Sequence, residues 1–180
     1  MQRLILMITL MAGAARLHPF SIPDNCTAFL TKKDMLFAKN REVQGNNCGQ
    51  KISVRKNNGK LHLQATIPSD KFQTGNSRRD QILSEILGKE ILFLFSINPD
   101  DLDKHDFSVK GDIVINKEKY PAIFRVTLKD SYYIGVFEGK LTSLGITPPT
   151  AGPFGAIANT HDFVKLGFRI SRKIIQEKMK

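Results

Sequence analysis

Residues 56–67 have the sequence KNNGKLHLQATI, and this stretch decides the fold class. Its Asn58-Gly59 pair readily takes the positive φ angles that a tight type I′ hairpin turn requires. After the turn, apolar side chains at positions 61, 63, 65 and 67 alternate with polar ones, which is the period of a strand with one dry and one wet face. We therefore predict a β-hairpin formed by residues 51–55 and 60–67, with His62 pointing to water.

Further strand patterns follow towards the C terminus, joined by turns rich in Asn, Asp, Pro and Gly. They cover residues 90–97, 107–115, 122–128, 132–142 and 162–171. Between the hairpin and these strands, apolar residues at helical spacing start after Asn76 and stop at Gly88, which predicts one short helix. Strands with one apolar face each must form a sandwich or close on themselves. We predict a mainly β protein, an antiparallel β-barrel with one short helix.

The N-terminal residues have the pattern of a cleavable export signal. A short basic start is followed by an apolar run at residues 4–11 and by the small residues Ala12-Gly13-Ala14. The run is well short of the roughly 20 residues that cross a bilayer as a helix. We expect residues 1–15 to be removed and residues 16–180 to form a single domain. An N-terminal core helix is the alternative.

Cys26 and Cys48 are the two cysteines of the chain. In an exported protein, an even number of cysteines indicates a disulfide more naturally than a metal or redox pair. This disulfide would staple an irregular N-terminal segment of two or three short strands. Two unrelated buried thiols are the alternative. The combination of leader and disulfide predicts a periplasmic location.

The formal net charge of +10 favours anionic partners such as phospholipid headgroups, pyrophosphates or acidic proteins. Nucleic acid is not an expected partner, because the chain is predicted to be exported and has no Trp for base stacking. Residues 169–180 are rich in Lys and Arg and are predicted to be a strand end followed by a solvated basic tail. Transient contact of this tail with an anionic membrane is a secondary hypothesis. The oligomeric state is not predicted.

Catalytic, metal and cofactor sites are not predicted. The four histidines, His18, His62, His105 and His161, lack the short-range spacing of a metal site. Residues 100–103 are acidic but lack the glycine and the distal glutamate of a calcium loop. The sequence has neither a nucleophile-elbow motif nor a phosphate-binding glycine loop. We therefore expect a binding protein and not an enzyme.

Three stretches resemble the YceI-like family. They are Thr74–Leu83 at the helix start, Gly111–Ile115 continuing to Pro121, and Phe137–Leu141 with the later strand Asp162–Ile170. The resemblance implies an exported, lipocalin-like barrel that binds polyisoprenoid lipids in a long apolar pore. The chain departs from the family in the shorter link at Leu87–Glu90 and in the cysteine-containing segment that replaces an N-terminal hairpin.

Alternation places a set of apolar side chains on the inward faces of the strands. The spacing fits both a packed core and a ligand-lined pore, because a small barrel is filled by side chains or holds one slim ligand. The resemblance favours a continuous apolar tunnel. Its predicted ligand-binding residues are Leu61, Leu63, Ile67, Phe93, Phe95, Phe107, Val109, Phe124, Val126, Leu166 and Phe168.

Arg78, Arg79 and Asp80 allow two interpretations at the helix start. The arginines could hold a ligand phosphate, or Asp80 could pair with Arg79 to orient the helix. Helix-start electrostatics favour the second.

Two functions follow from the sequence. The leading hypothesis is a periplasmic carrier or sequestering protein for a slim apolar ligand, such as an isoprenoid lipid or a quinone-like molecule. The alternative is an interaction module with a filled barrel, whose basic surface binds an anionic membrane or an acidic protein.

Overall fold

A computed structural model of the chain describes residues 20–152, residue 155 and residues 157–179. The predicted export signal and His18 lie outside these residues. The strands are β1 (Cys26–Met35), β2 (Ala38–Asn47), β3 (Lys51–Asn57), β4 (Lys60–Pro68), β5 (Glu90–Ile97), β6 (Asp106–Ile115), β7 (Glu118–Lys129), β8 (Tyr132–Gly139), β9 (Thr150–Ala151) and β10 (Ala158–Ser171). The helices are α1 (Ser77–Leu87) and α2 (Arg172–Met179), and 3₁₀ turns occur at Ser69–Lys71, Pro99–Asp103 and Thr142–Leu144.

Tight two-residue turns set the register of three hairpins. In the predicted β3–β4 hairpin, Asn58 and Gly59 both have positive φ, at 48° and 75°. The same geometry recurs at residues 116–117 between β6 and β7 and at residues 130–131 between β7 and β8. Positive φ at both central residues is the mark of the I′ turn, whose twist matches that of the flanking strands. The predicted hairpin is confirmed, and His62 is exposed on its wet face.

The strands form one antiparallel sheet in the order β2-β1-β10-β8-β7-β6-β5-β4-β3, with β9 paired to β10. The edge strands β2 and β3 are consecutive in the chain and are joined by residues 48–50. Such a link spans at most about 14 Å, so the sheet must curl until its edges approach each other. In the described residues the edge strands β2 and β3 form no ladder with each other. Asn46 of β2 instead forms an isolated bridge with Gln73, which follows β4 in the chain. The antiparallel β fold is confirmed, but the described sheet is not closed.

The helix content differs from the prediction at the C terminus. The predicted helix is present as α1, capped by the Asn76 side chain, which accepts from the Arg79 N–H at 2.9 Å, and ended by Gly88 at φ 72°. A second helix, α2, replaces the predicted solvated tail. It packs against β3 and buries Ile175. A helix of this length is not stable alone, and burial of its apolar face stabilises it.

The N-terminal segment is more regular than predicted, since β1 and β2 form a hairpin of two ten-residue strands. The predicted disulfide between Cys26 and Cys48 is confirmed, with an S–S distance of 2.01 Å. Thr27 faces Asn47 in the ladder, so the cysteines occupy the next position along it. The disulfide therefore ties the two strands together at the end opposite the hairpin turn.

An aromatic cluster fills the middle of the sheet interior. Phe124 is fully buried and lies at its centre, with ring centroids 5.2–5.7 Å from those of its four neighbours. Inward alternation on four strands brings the rings together, and edge-to-face or tilted contacts of this kind add to the stability from apolar burial. The aromatic cluster consists of Phe93, Phe95, Phe124, Phe137 and Phe168.

Candidate ligand cavity

An apolar cavity of about 260 Å³ lies beneath α1, at the end of the sheet where the β1–β2 turn is located. Side chains of α1 form one wall, the segment 141–151 forms a second, and inward faces of the strands form the rest. The lining residues are Phe29, Thr31, Lys33, Val43, Phe72, Arg79, Ile82, Leu83, Ile86, Leu87, Ile91, Ile113, Ile115, Leu141, Leu144, Ile146, Pro149, Thr150, Ala151, Ala158, Thr160, Val164 and Leu166. A concave, mostly apolar space with a few polar groups is typical of a small-molecule site.

Helix α1 presents its apolar face to the cavity. Ile82, Leu83, Ile86 and Leu87 recur at helical spacing, and all four line the cavity. Leu87 is buried, whereas Ile82 is 43% exposed. The helix thus covers the cavity as a roof, with one end packed into the sheet and the other near solvent.

The start of α1 is fixed through Thr74. Arg79 donates from Nε to Thr74 Oγ1 at 2.8 Å and from Nη2 to the Thr74 carbonyl at 2.8 Å. Asp80 accepts from the Thr74 N–H at 3.0 Å and also from its hydroxyl. Arg79 and Asp80 therefore orient the helix through a shared partner, while Arg78 is exposed. Arg79 also lines the cavity, where it is one of two cationic side chains together with Lys33.

A carboxylate fixes the second wall of the cavity, the segment 141–151. Asp162 accepts from the Thr142 N–H at 2.9 Å and from the Thr142 hydroxyl at 2.7 Å. These bonds stabilise the charged form and hold the pKa of Asp162 below its usual value. They anchor the 3₁₀ turn, whose last residue Leu144 and preceding residue Leu141 are buried against the cavity.

The opposite end of the interior is nearly filled. A cavity of about 30 Å³ is lined there by Leu63, Phe95, Ile97, Leu102, Phe107, Val109, Val126, Tyr133, Phe168, Ile170 and Ile175. Tyr133 donates its hydroxyl to the Leu102 carbonyl at 2.9 Å, and burial raises the pKa of Tyr133. Helix α2 contributes Ile175, so this end is closed by a helix as well.

The eleven predicted ligand-binding residues all lie on inward faces, where nine are buried and Phe107 and Leu166 are partly buried. Leu166 lines the cavity beneath α1. Leu63, Phe95, Phe107, Val109, Val126 and Phe168 line the small cavity. Leu61, Ile67, Phe93 and Phe124 line neither. The aromatic cluster fills the interior between the cavities, where the sequence predicted a continuous tunnel. Contact of the eleven predicted residues with a ligand stays a prediction.

Most of the cavity beneath α1 is formed by residues that the sequence did not single out. Ile91 lies on the same inward face as Phe93 of β5, and Ile113 and Ile115 lie on the same inward face as Val109 of β6. The alternation that identified Phe93 and Val109 extends to them. The signal was therefore present, but periodicity does not reveal which inward residues border free space.

Metal-binding groups do not come together in the part of the chain that the structure describes. His105 contacts Asp106 at 2.6 Å and His161 contacts Asp34 at 3.2 Å, each as a surface pair. Among the same residues, no helix is long and apolar enough to span a membrane.

The fold is shared with solved structures, although no protein-family model and no curated protein matches the sequence. BcnA of Burkholderia cenocepacia superposes with a TM-score of 0.52 at 15% identity, over 80% of this chain and 94% of that one. A polyisoprenoid-binding domain from Saccharophagus degradans, implicated in plant cell wall breakdown, superposes with a TM-score of 0.55 at 10% identity, over 79% of this chain and 91% of that one. A mutant CJ YceI protein aligns with a TM-score of 0.49 at 13% identity, over 73% of this chain and 85% of that one. The likenesses to BcnA and to the polyisoprenoid-binding domain confirm, at the level of the fold, the YceI-like resemblance read from the sequence.

Proposed function

We propose that this chain is a carrier or sequestering protein for a slim apolar ligand, held inside a lipocalin-like barrel. The observation that carries the proposal is the cavity of about 260 Å³ beneath α1, whose walls are mostly aliphatic and aromatic. Affinity would come from removing apolar ligand surface from water, at about 25 cal/mol per Å² buried. Arg79 and Lys33 would contact a polar end of the ligand.

The size of the cavity narrows the ligand class. A cavity of roughly 150 Å³ holds a molecule as large as benzene. The cavity beneath α1 is therefore matched to a short apolar segment, such as a few prenyl units or the ring and first prenyl unit of a quinone. The likeness to a polyisoprenoid-binding domain supports an isoprenoid as the first ligand to test.

We also propose that the protein works in the periplasm. The Cys26–Cys48 disulfide supports an oxidising compartment, because such bonds persist outside the reducing cytosol. The leader pattern at residues 1–15 supports export. Sequencing the N terminus of protein recovered from the periplasm tests this, since retention of Met1 would contradict the proposed cleavage.

The function is tested by solvent extraction of purified protein followed by mass spectrometry, and by titration with isoprenols of increasing length. Leu83→Trp adds bulk on the cavity wall and should weaken binding at least tenfold. Ile123→Trp is the matched control, because Ile123 is 54% exposed on the outer face of β7. Unfolding curves of both variants establish that each is folded.

No extracted lipid together with no binding of any added isoprenol would reject the carrier function. Equal binding by the Leu83→Trp and Ile123→Trp variants would place the ligand outside this cavity.

The alternative function is an interaction module with a filled interior. The specific observation that favours it is the aromatic cluster, since Phe93 and Phe124 pack against each other and line no cavity described above. In that case the basic exterior would be the functional surface. The extraction experiment separates the two functions, because a module of this kind carries no apolar cargo.

A further inference from the structure

The turn between β1 and β2 exposes an unusual run of apolar side chains. Met35 is 43% exposed, Leu36 is 64% exposed and Phe37 is 94% exposed. Ile157 joins them at 56% exposure, because its carbonyl accepts the Leu36 N–H at 3.2 Å. We call these four residues the hairpin tip. Single exposed apolar residues are normal on protein surfaces, but a contiguous group marks an interaction site.

The hairpin tip projects beyond the end of β8. Strand β10 pairs with β1 from Ala158 onwards, whereas its ladder with β8 begins only at Val164, opposite Gly139. Residues 158–163 and the facing part of β1 therefore extend past the edge of β8. The Cys26–Cys48 disulfide ties this hairpin at its other end. The tip thus stands on a braced arm that β9 flanks on one side, where Ala151 pairs with Ala158.

Cationic side chains surround the hairpin tip. Residues 32–42, with the sequence KKDMLFAKNRE, contain four basic and two acidic side chains. Lys39 and Arg41 are exposed just after the apolar run, and Lys33 faces Arg41 across the hairpin.

Two acidic side chains, Asp34 and Glu42, offset part of this positive charge. Asp34 accepts from the Asn40 N–H at 2.8 Å and contacts His161 at 3.2 Å. Glu42 faces Lys32 in the ladder. Lys33, Lys39 and Arg41 therefore give the base of the tip an excess of positive charge.

The tip lies beside the cavity beneath α1. Thr31 and Lys33 of β1 line that cavity, as do Ala158 and Thr160 of β10, which follow directly after Ile157. A surface that received the tip would therefore also face this end of the cavity.

We propose that the hairpin tip docks the protein on an anionic lipid bilayer. Leu36 and Phe37 enter the interface between headgroups and acyl chains, while Lys39 and Arg41 contact lipid phosphates. Exposed apolar side chains and a basic collar complement the two layers of such a surface, since basic residues near it are attracted by anionic lipids. The docking goes beyond the proposed carrier function and holds whatever the cavity contains.

The test uses flotation with vesicles of phosphatidylcholine, with and without phosphatidylglycerol. Wild-type protein should float with the anionic vesicles and lose binding as salt is raised. Phe37→Ser should reduce binding about tenfold, because it removes the largest exposed apolar side chain. Ile123→Ser is the matched control on the outer face of β7 and should bind as wild type. Lys39→Glu combined with Arg41→Glu should also reduce binding.

A fluorescence measurement gives a second readout that does not depend on the loss of binding. The chain has no Trp, so Phe37→Trp and Ile123→Trp each introduce one reporter. Emission of the Phe37→Trp variant should shift to the blue when anionic vesicles are added, and emission of the Ile123→Trp variant should not.

Absence of wild-type flotation with anionic vesicles would overturn the proposal. So would unchanged binding by the Phe37→Ser variant, an outcome that would assign the tip to a protein partner instead. Ligand uptake in vesicle-free solution is a separate measurement, so the docking proposal and the carrier function fail independently.

Discussion

Gly135 on β8 lies directly opposite Phe168 on β10, and the Phe168 ring occupies the space that a side chain at position 135 would take. A Cβ atom built on Gly135 would lie 2.2 Å from Cζ of Phe168. Because Gly135 has no side chain, Phe168 can lie across β8 and reach Phe95 and Phe124.

Gly135→Ala should destabilise the protein by about 1–3 kcal/mol, because the Phe168 ring must move within a packed interior. Urea unfolding measures the loss. The double variant Gly135→Ala with Phe168→Leu should lose less than the sum of the two single changes, since the smaller side chain removes the clash. Additive losses would show that the two residues do not interact in this way.

Phe124→Gln should cost several kcal/mol of folding free energy, because it leaves a cavity among four rings and buries an amide without a partner. Because Phe124 lines neither cavity, any loss of isoprenoid binding in this variant should follow the loss of folded protein and not the loss of a ligand contact. Phe163→Gln is the matched comparison, since Phe163 is half-buried on the outer face of β10 near the Lys32 ammonium. It should change stability by less than about 1 kcal/mol and leave ligand binding intact. Equal losses in the two variants would contradict the assignment of inward and outward faces.

Replacing Cys26 and Cys48 together by Ser should lower the free energy of unfolding by about 3 kcal/mol, because the bond closes a loop with a sequence separation of 22 residues. Urea unfolding of wild type with and without reductant provides the comparison. The reductant should destabilise the wild type and have no effect on the double Ser variant. A wild type that is insensitive to reductant under unfolding conditions would contradict the predicted stabilisation.

Stability should fall in acid partly because of Asp162. The Thr142 N–H, and then the Thr142 hydroxyl, hold the folded-state pKa of Asp162 below the ordinary value of 3.8. A carboxyl group whose pKa is lower in the folded state than in the unfolded state stabilises the native state at pH values above its ordinary pKa. This contribution is lost as the pH falls through the folded-state pKa. The stability difference between wild type and Asp162→Asn should therefore shrink from about pH 5 to about pH 2. Asp100→Asn, which changes an exposed carboxylate on another turn, is the control in the same urea titrations. If the difference in unfolding free energy between wild type and Asp162→Asn stays constant over this pH range, Asp162 does not contribute to the acid sensitivity.

The β architecture was readable from the sequence because its signals are local. The Asn58-Gly59 turn and the alternation that follows it need no tertiary context, and the caps at Asn76 and Gly88 mark both ends of α1. The turns at residues 116–117 and 130–131 have the same geometry without the Asn-Gly signature, so composition alone did not reveal their type.

Helix α2 and the cavity depend on contacts that no local pattern contains. Residues 172–179 form a short segment rich in charged side chains, which alone gives little helix signal. They form a helix because Ile175 is buried in the folded structure. Alternation identified which side chains point inward, but the volume beneath α1 depends on how far the helix and the 141–151 segment stand from the sheet. Only the folded structure sets that separation.

The aromatic cluster also has a consequence for the kinetics of transfer. In the part of the chain that the structure describes, it stands between the cavity beneath α1 and the far end of the sheet. Cargo would then be loaded and unloaded through one opening, so donor and acceptor could not be served at the same moment from opposite ends. If the proposed carrier function holds, the protein would be a shuttle and not a conduit, because it would leave one surface before it delivers to the next. The rate of delivery would then rise with the number of free protein molecules in transit.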